Sequence, residues 1–318
     1  MKYVGLQSQI WKNNTRSVLL LIMFPVILYA LTWLFFFIIS LQKESQMTIA
    51  DVNNSFLRVF PFITAGVIIW FIVAYFSHSA MIRAATGSKP LERKENKRVY
   101  NLVENLCIAV GMKMPAVNII EDDSLNAFAS GIDDRTYTIS LSRGIINKLT
   151  DEELEAVIAH ELTHIRNRDV RLLIISIVFV GIFAFIAEAI FRSLRYSSIG
   201  SRGGKKGGGA GIAILVALVL AIIGYFIAML IRFAISRKRE YLADAGAAEL
   251  TKRPLALASA LRKVSQDPTI EAVKRADVAQ MFIENPQLGL KKEHASPFAS
   301  LFATHPPIEK RIAILEQF

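Results

Sequence analysis

The chain has very little cysteine and few charged residues, and both features exclude certain classes of protein. Its single cysteine, Cys107, excludes a disulfide framework and a zinc site built from cysteines. Charged residues make up 20% of the 318 residues and hydrophobic residues 53%, which excludes a disordered chain. Much of the apolar content lies in long uncharged runs, which argues against a purely soluble globule.

Acidic residues are also in deficit, because 37 lysines and arginines stand against 27 aspartates and glutamates, giving a formal charge of +10. In a soluble chain this excess would favour nucleic acid as a partner, but the sequence carries no nucleic-acid-binding motif. In a chain with membrane spans, basic residues more often flank the spans beside anionic lipid. We therefore expect a lipid bilayer, and no nucleic acid, as a partner.

Four uncharged runs have the composition of membrane helices. The first would reach roughly 33 Å at about 1.5 Å per residue, which is enough to cross a hydrocarbon core of about 30 Å. It is too long for a signal peptide, and no small-x-small cleavage site follows it before Lys43. The third run is marginal in length, so a buried core helix is its alternative. We predict transmembrane helices at residues 18–39, 59–77 and 208–231, and an apolar helix, with spanning left open, at residues 171–191.

Basic flanks orient these spans. Residues 1–17 contain Lys2, Lys12 and Arg16 without an acidic residue, and a second basic segment follows the second span. By the positive-inside rule, both segments are cytoplasmic. The turn between the third and fourth apolar runs is also basic, which does not fit a simple crossing. The sequence does not decide whether that hairpin spans the bilayer.

The polar parts of the chain predict one soluble domain in two pieces, residues 83–170 and 232–318. Short strands are expected within the first piece, before Thr150 and Glu153 form a capping box that opens a helix. We therefore predict a mainly α polytopic membrane protein with about four apolar helices and an α+β domain containing a small sheet.

The strongest chemical signal lies in the middle of the capped helix, where the chain reads His160-Glu161-Leu162-Thr163-His164. Residues four apart share one helix face, so both imidazoles can reach a single metal ion. Glu161 lies beside that face, where its carboxylate can hold and deprotonate a metal-bound water. Two unrelated histidines on a solvated helix are the alternative.

Catalytic zinc takes three protein ligands and keeps one position open for water. Since no other close histidine and no cysteine pair is available, a carboxylate is the natural third ligand. Glu240 and Asp244 are four apart, and could present a ligand and an acceptor for a zinc-bound imidazole on one helix face. A salt bridge with Arg237, Lys238 or Arg239 on a helical surface is the alternative reading.

Several segments resemble known signatures: HELTHIRNRD, SRKREYLADAGAAEL, the terminal THPPIEKRI and the short Asn126-Ala127-Phe128-Ala129. Together they are similar to the motifs of HtpX-type membrane zinc metalloproteases, bacterial heat-shock proteases related to the CAAX prenyl proteases. The resemblance covers nearly the whole chain. It implies a catalytic domain of the zincin (gluzincin) type.

The resemblance also implies roles for particular residues. One zinc ion per chain would be bound by His160, His164 and Glu240, with Glu161 as the catalytic carboxylate. Asp244 and Asp169 would support the ligands. His305 matches a family histidine that could stabilise the oxyanion or cap the metal, or it could simply be a residue at a helix entry. The candidate substrate or oxyanion contacts are Asn126, Ala127, Phe128 and His305.

The expected protein is a multi-pass zinc metalloendopeptidase of the bacterial inner (plasma) membrane, with its active site facing the cytoplasm. The family implies protein or peptide substrates, in particular misfolded or damaged membrane proteins, and a role in stress-related quality control. Two alternatives stay open: a selective processing protease of the CAAX type, and a proteolytically silent membrane adaptor that keeps a structural zinc. The sequence indicates neither the cleavage preference nor the oligomeric state.

Overall fold

The computed structural model describes residues 6–42, 47–200, 208–234, 238–270, 273, 279, 281–284, 286 and 306–318. Over these residues the chain forms ten α-helices and one four-stranded sheet. The helices are α1 Leu6–Ser40, α2 Ile49–Thr86, α3 Lys97–Val110, α4 Arg143–Lys148, α5 Asp151–Arg166, α6 Asp169–Gly200, α7 Gly208–Ala234, α8 Lys238–Thr251, α9 Pro254–Val264 and α10 Ile308–Leu315. The strands are β1 Lys89–Pro90, β2 Ala116–Ile120, β3 Ala127–Ser130 and β4 Thr138–Ser142.

Four of the helices, α1, α2, α6 and α7, are long and apolar enough to cross a membrane. The predicted fold class, mainly helical with about four apolar helices and a small sheet, is therefore confirmed. The helices α1 and α2 contain 35 and 38 residues and extend well beyond the uncharged runs. Charge marks where a span can leave the bilayer, whereas a helix continues for as long as its backbone hydrogen bonds are satisfied.

The chain divides into two compact units. One unit, Arg16–Phe76 with Ile175–Ala234, consists of the apolar helices. Its aromatic side chains pack against one another: the ring of Phe24 makes edge contacts with Phe179 and Phe183, at centroid distances of 4.5 and 5.5 Å. The other unit comprises Met1–Thr15, Ser77–Ile174 and Ile235–Phe318, and contains the sheet and the polar helices.

The sheet has the strand order β1-β2-β4-β3, so β3 is an edge strand. The pair β2–β4 is parallel, and the pairs β1–β2 and β3–β4 are antiparallel. Phe282 forms an isolated antiparallel bridge with Phe128, and the backbone N–H of Ile283 donates to the carbonyl of Ala127 at 2.8 Å. These two residues therefore occupy part of the outer edge of β3.

The helix α5 lies at the centre of the sheet-containing unit. Its predicted capping box is confirmed: the Thr150 N–H donates to Glu153 at 2.9 Å, and the Glu153 N–H donates back to the Thr150 hydroxyl at 3.3 Å. The carboxylate of Glu153 also accepts hydrogen bonds from Ser259 and Lys263, each at 2.7 Å, which ties the start of α5 to α9. Residues are buried all round the helix, so its polar side chains lie inside a packed core.

Candidate metal centre

Three potential metal ligands converge inside the sheet-containing unit: His160 and His164 from α5, and Glu240 from α8. The two Nε2 atoms are 3.2 Å apart. The Glu240 Oε2 atom lies 3.5 Å from His160 Nε2 and 3.7 Å from His164 Nε2. Ligand atoms about 2.0–2.2 Å from a tetrahedral zinc ion would be about 3.3–3.6 Å from one another. The cluster thus has the dimensions of one face of a zinc tetrahedron.

Small residues bring α8 close enough to α5 for these ligands to meet. Ala243 and Ala247 are fully buried, and Gly246 faces Thr163, the residue that precedes His164. A Cβ atom added at Gly246 would lie 2.5 Å from the Thr163 Cγ2 atom, which is too close without a shift of one helix. The missing side chain at position 246 therefore helps to set the distance between Glu240 and the histidines.

We expect Gly246→Ala to destabilise the protein and weaken metal binding together. Overpacking costs about 1–3 kcal/mol, which exceeds the roughly 1 kcal/mol that alanine gains over glycine in a helix. The matched control is Gly181→Ala, since a Cβ atom there meets nothing within 4 Å. Thermal unfolding and zinc content, both measured in detergent, check the prediction. Equal unfolding temperatures and zinc contents for the two variants would show that Gly246 does not set this distance.

The second nitrogen of each histidine faces a carboxylate. His160 Nδ1 lies 3.0 Å from Asp244 Oδ1, and His164 Nδ1 is hydrogen-bonded to Asp169 Oδ2 at 3.1 Å. A carboxylate accepts hydrogen bonds, so in the neutral form of each imidazole the proton belongs on Nδ1 and Nε2 presents a lone pair. Two lone pairs and a carboxylate oxygen thus point at one another, an arrangement that a cation stabilises.

The electrostatics of the cluster also favour a cation. Four carboxylates around it are at least 97% buried: Glu161 and Asp169 are each 1% exposed, and Glu240 and Asp244 are each 3% exposed. The buried cations beside them are Arg311 and Arg239, which leaves an excess of negative charge if the histidines are neutral. Burial lowers the pKa of His164, but the carboxylates of Glu240 and Asp169 outweigh it and raise the pKa to about 10. The donor set therefore fits a divalent metal ion with nitrogen and oxygen ligands, such as zinc.

Glu161 lies next to the cluster without being one of the three converging ligands. Its carboxylate accepts a hydrogen bond from the backbone N–H of Ala129 in β3, and its Oε1 atom has no partner within the described part of the chain. Burial raises the pKa of Glu161. The side chain lines a cavity of ≈ 20 Å³ together with His164 and Glu240, which is room for about one water molecule. A carboxylate of this kind can exchange a proton with a water held beside the metal.

Arg311 is a component of the site that the sequence reasoning missed. Its side chain is fully buried and forms a two-pronged ion pair with Asp244, at 2.8 Å from Nε and 2.7 Å from Nη2. It also donates to the Ile283 carbonyl at 3.0 Å and lies 3.9 Å from Glu240. Arg311 thereby holds Asp244 against His160. In the sequence, Arg311 is marked only by its place in the terminal THPPIEKRI segment, which carries the family resemblance without indicating a role for the arginine.

Three of the remaining predicted residues, Asn126, Ala127 and Phe128, lie at the start of the edge strand β3. Asn126 is fully buried, and its amide donates to the carbonyls of Pro268 and Glu284 at 2.7 and 2.9 Å. Ala127 and Phe128 are fully buried in β3. His305 lies outside the described residues. The predicted substrate contacts of these four residues stay predictions.

These features define a class of site. A buried helix supplies two histidines one turn apart with an adjacent glutamate, and a later helix supplies a carboxylate, which is the arrangement of a gluzincin metallopeptidase. Comparison with known proteins gives the same class: the profile described as Peptidase family M48 matches residues 93–318. The chain belongs to peptidase family M48, among the HtpX-type proteases.

The similar proteins include a "Protease HtpX homolog" of Bacteroides fragilis (strain YCH46), 62% identical over 323 residues that cover 100% of both chains. Another, from Listeria innocua serovar 6a, is 40% identical over 289 residues, covering 88% of this chain and 93% of the relative. Among solved structures, the "Crystal Structure of S. mikatae Ste24p" matches 96% of this chain and 66% of that one, with 19% identity and a TM-score of 0.48. With its four apolar helices, the protein is a membrane metalloprotease, and its substrates are proteins or peptides.

Proposed function

We propose that this protein is a zinc-dependent endopeptidase of the bacterial inner membrane that degrades misfolded or damaged membrane proteins, with its active site facing the cytoplasm. One observation carries the proposal: the Nε2 atoms of His160 and His164 and a Glu240 oxygen converge beside the buried carboxylate of Glu161. The similarity to HtpX-type proteases supports the stress-related role, because proteases of this type are heat-shock proteases.

In this proposal, each residue of the centre has a distinct task. His160, His164 and Glu240 would hold the zinc ion, which would supply Lewis-acid activation of the scissile carbonyl and of a water molecule. Glu161 takes a proton from the attacking water and passes it to the leaving amine, and burial, which raises its pKa, makes the carboxylate a stronger base for the first step. Asp244 holds the His160 imidazole in position through its Nδ1–H.

We assign substrate binding to the backbone of β3. This strand is at the sheet edge, and its Ala129 N–H contacts the Glu161 carboxylate. Because Phe282 and Ile283 occupy part of the outer edge, an extended peptide would bind by displacing them and pairing with the β3 backbone irrespective of its sequence, which suits an enzyme that acts on varied unfolded chains. Asn126 would support Ala127 and Phe128 in this role by tying the start of β3 to the residues that follow α9.

Hydrolysis of an unfolded protein tests the proposed function. We expect the detergent-purified protein to cleave casein, to lose this activity with a zinc chelator and to regain it when zinc is restored. A folded protein of similar size should be cleaved much more slowly. Cleavage restricted to one defined peptide would favour the selective processing protease instead. A zinc-loaded protein without any hydrolysis would favour the silent adaptor.

The topology of the site gives a further prediction. His164 and Glu240 meet in one cluster although two apolar helices separate them in the chain, so we expect the segments that carry them to lie on the same side of the membrane. By the positive-inside rule, that side is the cytoplasm. Single cysteines at the exposed positions Arg135 and Lys252, on a Cys107→Ser background, should resist an impermeant maleimide in spheroplasts and react after lysis. The control is a cysteine at the exposed Ala50, in the first turn of α2 and between the first two uncharged runs, which should react before lysis. If only one of positions 135 and 252 reacted before lysis, the two segments would lie on opposite sides of the membrane and the prediction would be wrong.

A further inference from the structure

The segment that precedes the first apolar run reaches the metal centre through one side chain. Asn13 of α1 is fully buried, although its neighbours Trp11, Lys12 and Thr15 are exposed. Its amide nitrogen donates one hydrogen bond to Asp169 Oδ1 at 2.7 Å and another to the Asn167 carbonyl at 2.8 Å. Both amide protons are therefore used, on partners more than 150 positions away in the sequence.

The two acceptors of Asn13 lie on either side of the turn that joins α5 to α6. Asn167 is the C-cap of α5, where helix carbonyls lack a partner within the helix. Arg168, between them, has a φ of 61°, a left-handed conformation that side chains other than glycine rarely adopt. A bond to the carbonyl before this residue and another to the carboxylate after it hold the strained turn in one conformation.

Asp169 transmits this constraint to the metal ligand. Its Oδ1 atom accepts from Asn13, and its Oδ2 atom is hydrogen-bonded to His164 Nδ1. The carboxylate has its plane fixed by two partners at once, and it is 1% exposed, so little water competes with either bond. The His164 ring is thereby oriented with its Nε2 toward His160 and Glu240.

We propose that Asn13 is a positioning residue of the metal centre, which orients His164 through Asp169 and makes the segment before the first span part of the zinc site. The proposal rests on the proposed function for the identity of the metal. Removal of the amide leaves Asp169 free to rotate away from His164, and it leaves the Asn167 carbonyl without this donor. Metal affinity should fall, although Asn13 itself touches neither metal nor substrate.

Zinc affinity, measured in detergent by competition with a chromogenic chelator, tests the role without relying on hydrolysis. A residue that directly supports a ligand typically changes metal affinity by about 10–100-fold, so we expect Asn13→Ala, one bond further away, to weaken it about threefold to tenfold. Asn13→Asp keeps the shape but puts a carboxylate against Asp169, and should weaken it more. The control is Thr15→Ala, because Thr15 is exposed and its hydroxyl donates to the Trp11 carbonyl in its own helix.

A double-mutant cycle separates positioning from packing. If Asn13 acts through Asp169, the variant Asn13→Ala/Asp169→Ala should bind zinc as Asp169→Ala alone does. Independent losses that multiply would overturn the proposal, as would wild-type affinity in folded Asn13→Ala and Asn13→Asp proteins. Failure of the proposed function would give a different result. The wild-type protein would bind zinc and the Asn13 variants would bind it more weakly, but the wild-type protein would not hydrolyse casein. A wild-type protein that binds no zinc would overturn both.

Discussion

Replacement of Glu161 by glutamine should leave zinc bound and nearly abolish peptide hydrolysis. The ligands His160, His164 and Glu240 are untouched, but an amide cannot take a proton from water, so kcat/KM should fall by about 10²–10⁴-fold. The comparison is made on purified wild-type and variant protein with casein as substrate, alongside metal analysis of the same preparations.

The matched control for this variant is Glu152→Gln. Glu152 lies on the same helix, but it is exposed, and its ion pair with Arg253 is 3.6 Å long. A surface pair of this kind is worth about 0–1 kcal/mol, so the control should retain wild-type kinetics. Turnover near the wild-type rate in a zinc-loaded Glu161→Gln protein would remove Glu161 from the catalytic role.

Zinc binding should respond differently to substitution of the proposed metal ligand Glu240 and of Asp244, which faces His160. Glu240→Gln removes the charged ligand, so zinc should be lost on purification and excess zinc should restore little activity. Asp244→Asn keeps the ligands and should weaken zinc affinity by about 10–100-fold, with activity recovered when zinc is added. The isosteric changes are preferable to alanine, since truncation of Asp244 would leave the buried Arg311 without its two-pronged partner.

The control on the same helix is Glu249→Gln, because Glu249 is exposed on α8. Zinc titration of the three purified variants measures both affinity and recovery of activity. If Glu240 and Asp244 formed only structural salt bridges, both changes would lower the stability, by about 3–5 kcal/mol for a broken buried pair, and leave the metal in place. Equal retention of zinc by the Glu240 and Asp244 variants would contradict the assignment.

The parts of the site that sequence could predict are those fixed by local geometry and ligand chemistry. The helical period places His160 and His164 on one face, and the capping box at Thr150 marks where their helix begins. The need for a third ligand in a chain with one cysteine favours a carboxylate, and the family resemblance implies Glu240, although two apolar helices intervene. Spacing, a coordination rule and the resemblance together carry the information.

The parts that sequence could not predict depend on contacts between distant segments. Arg311 meets Asp244 across 67 positions, and Asn13 meets Asp169 across 156. Neither residue has a local signal of burial, because arginine and asparagine at such positions are ordinarily solvated. The strand β1 was missed for a related reason: its two residues, Lys89 and Pro90, form a strand only through pairing with β2.

Titration of the metal-free protein with zinc, with bound metal and casein hydrolysis followed together, tests whether zinc at this site drives hydrolysis. We expect hydrolysis to rise in proportion to bound zinc and to saturate at one ion per chain, and the Glu161→Gln variant to bind the same amount of zinc without activity. Full hydrolytic activity before zinc is added, or activity that does not change as the His160–His164–Glu240 site fills, would contradict zinc-dependent hydrolysis at this site.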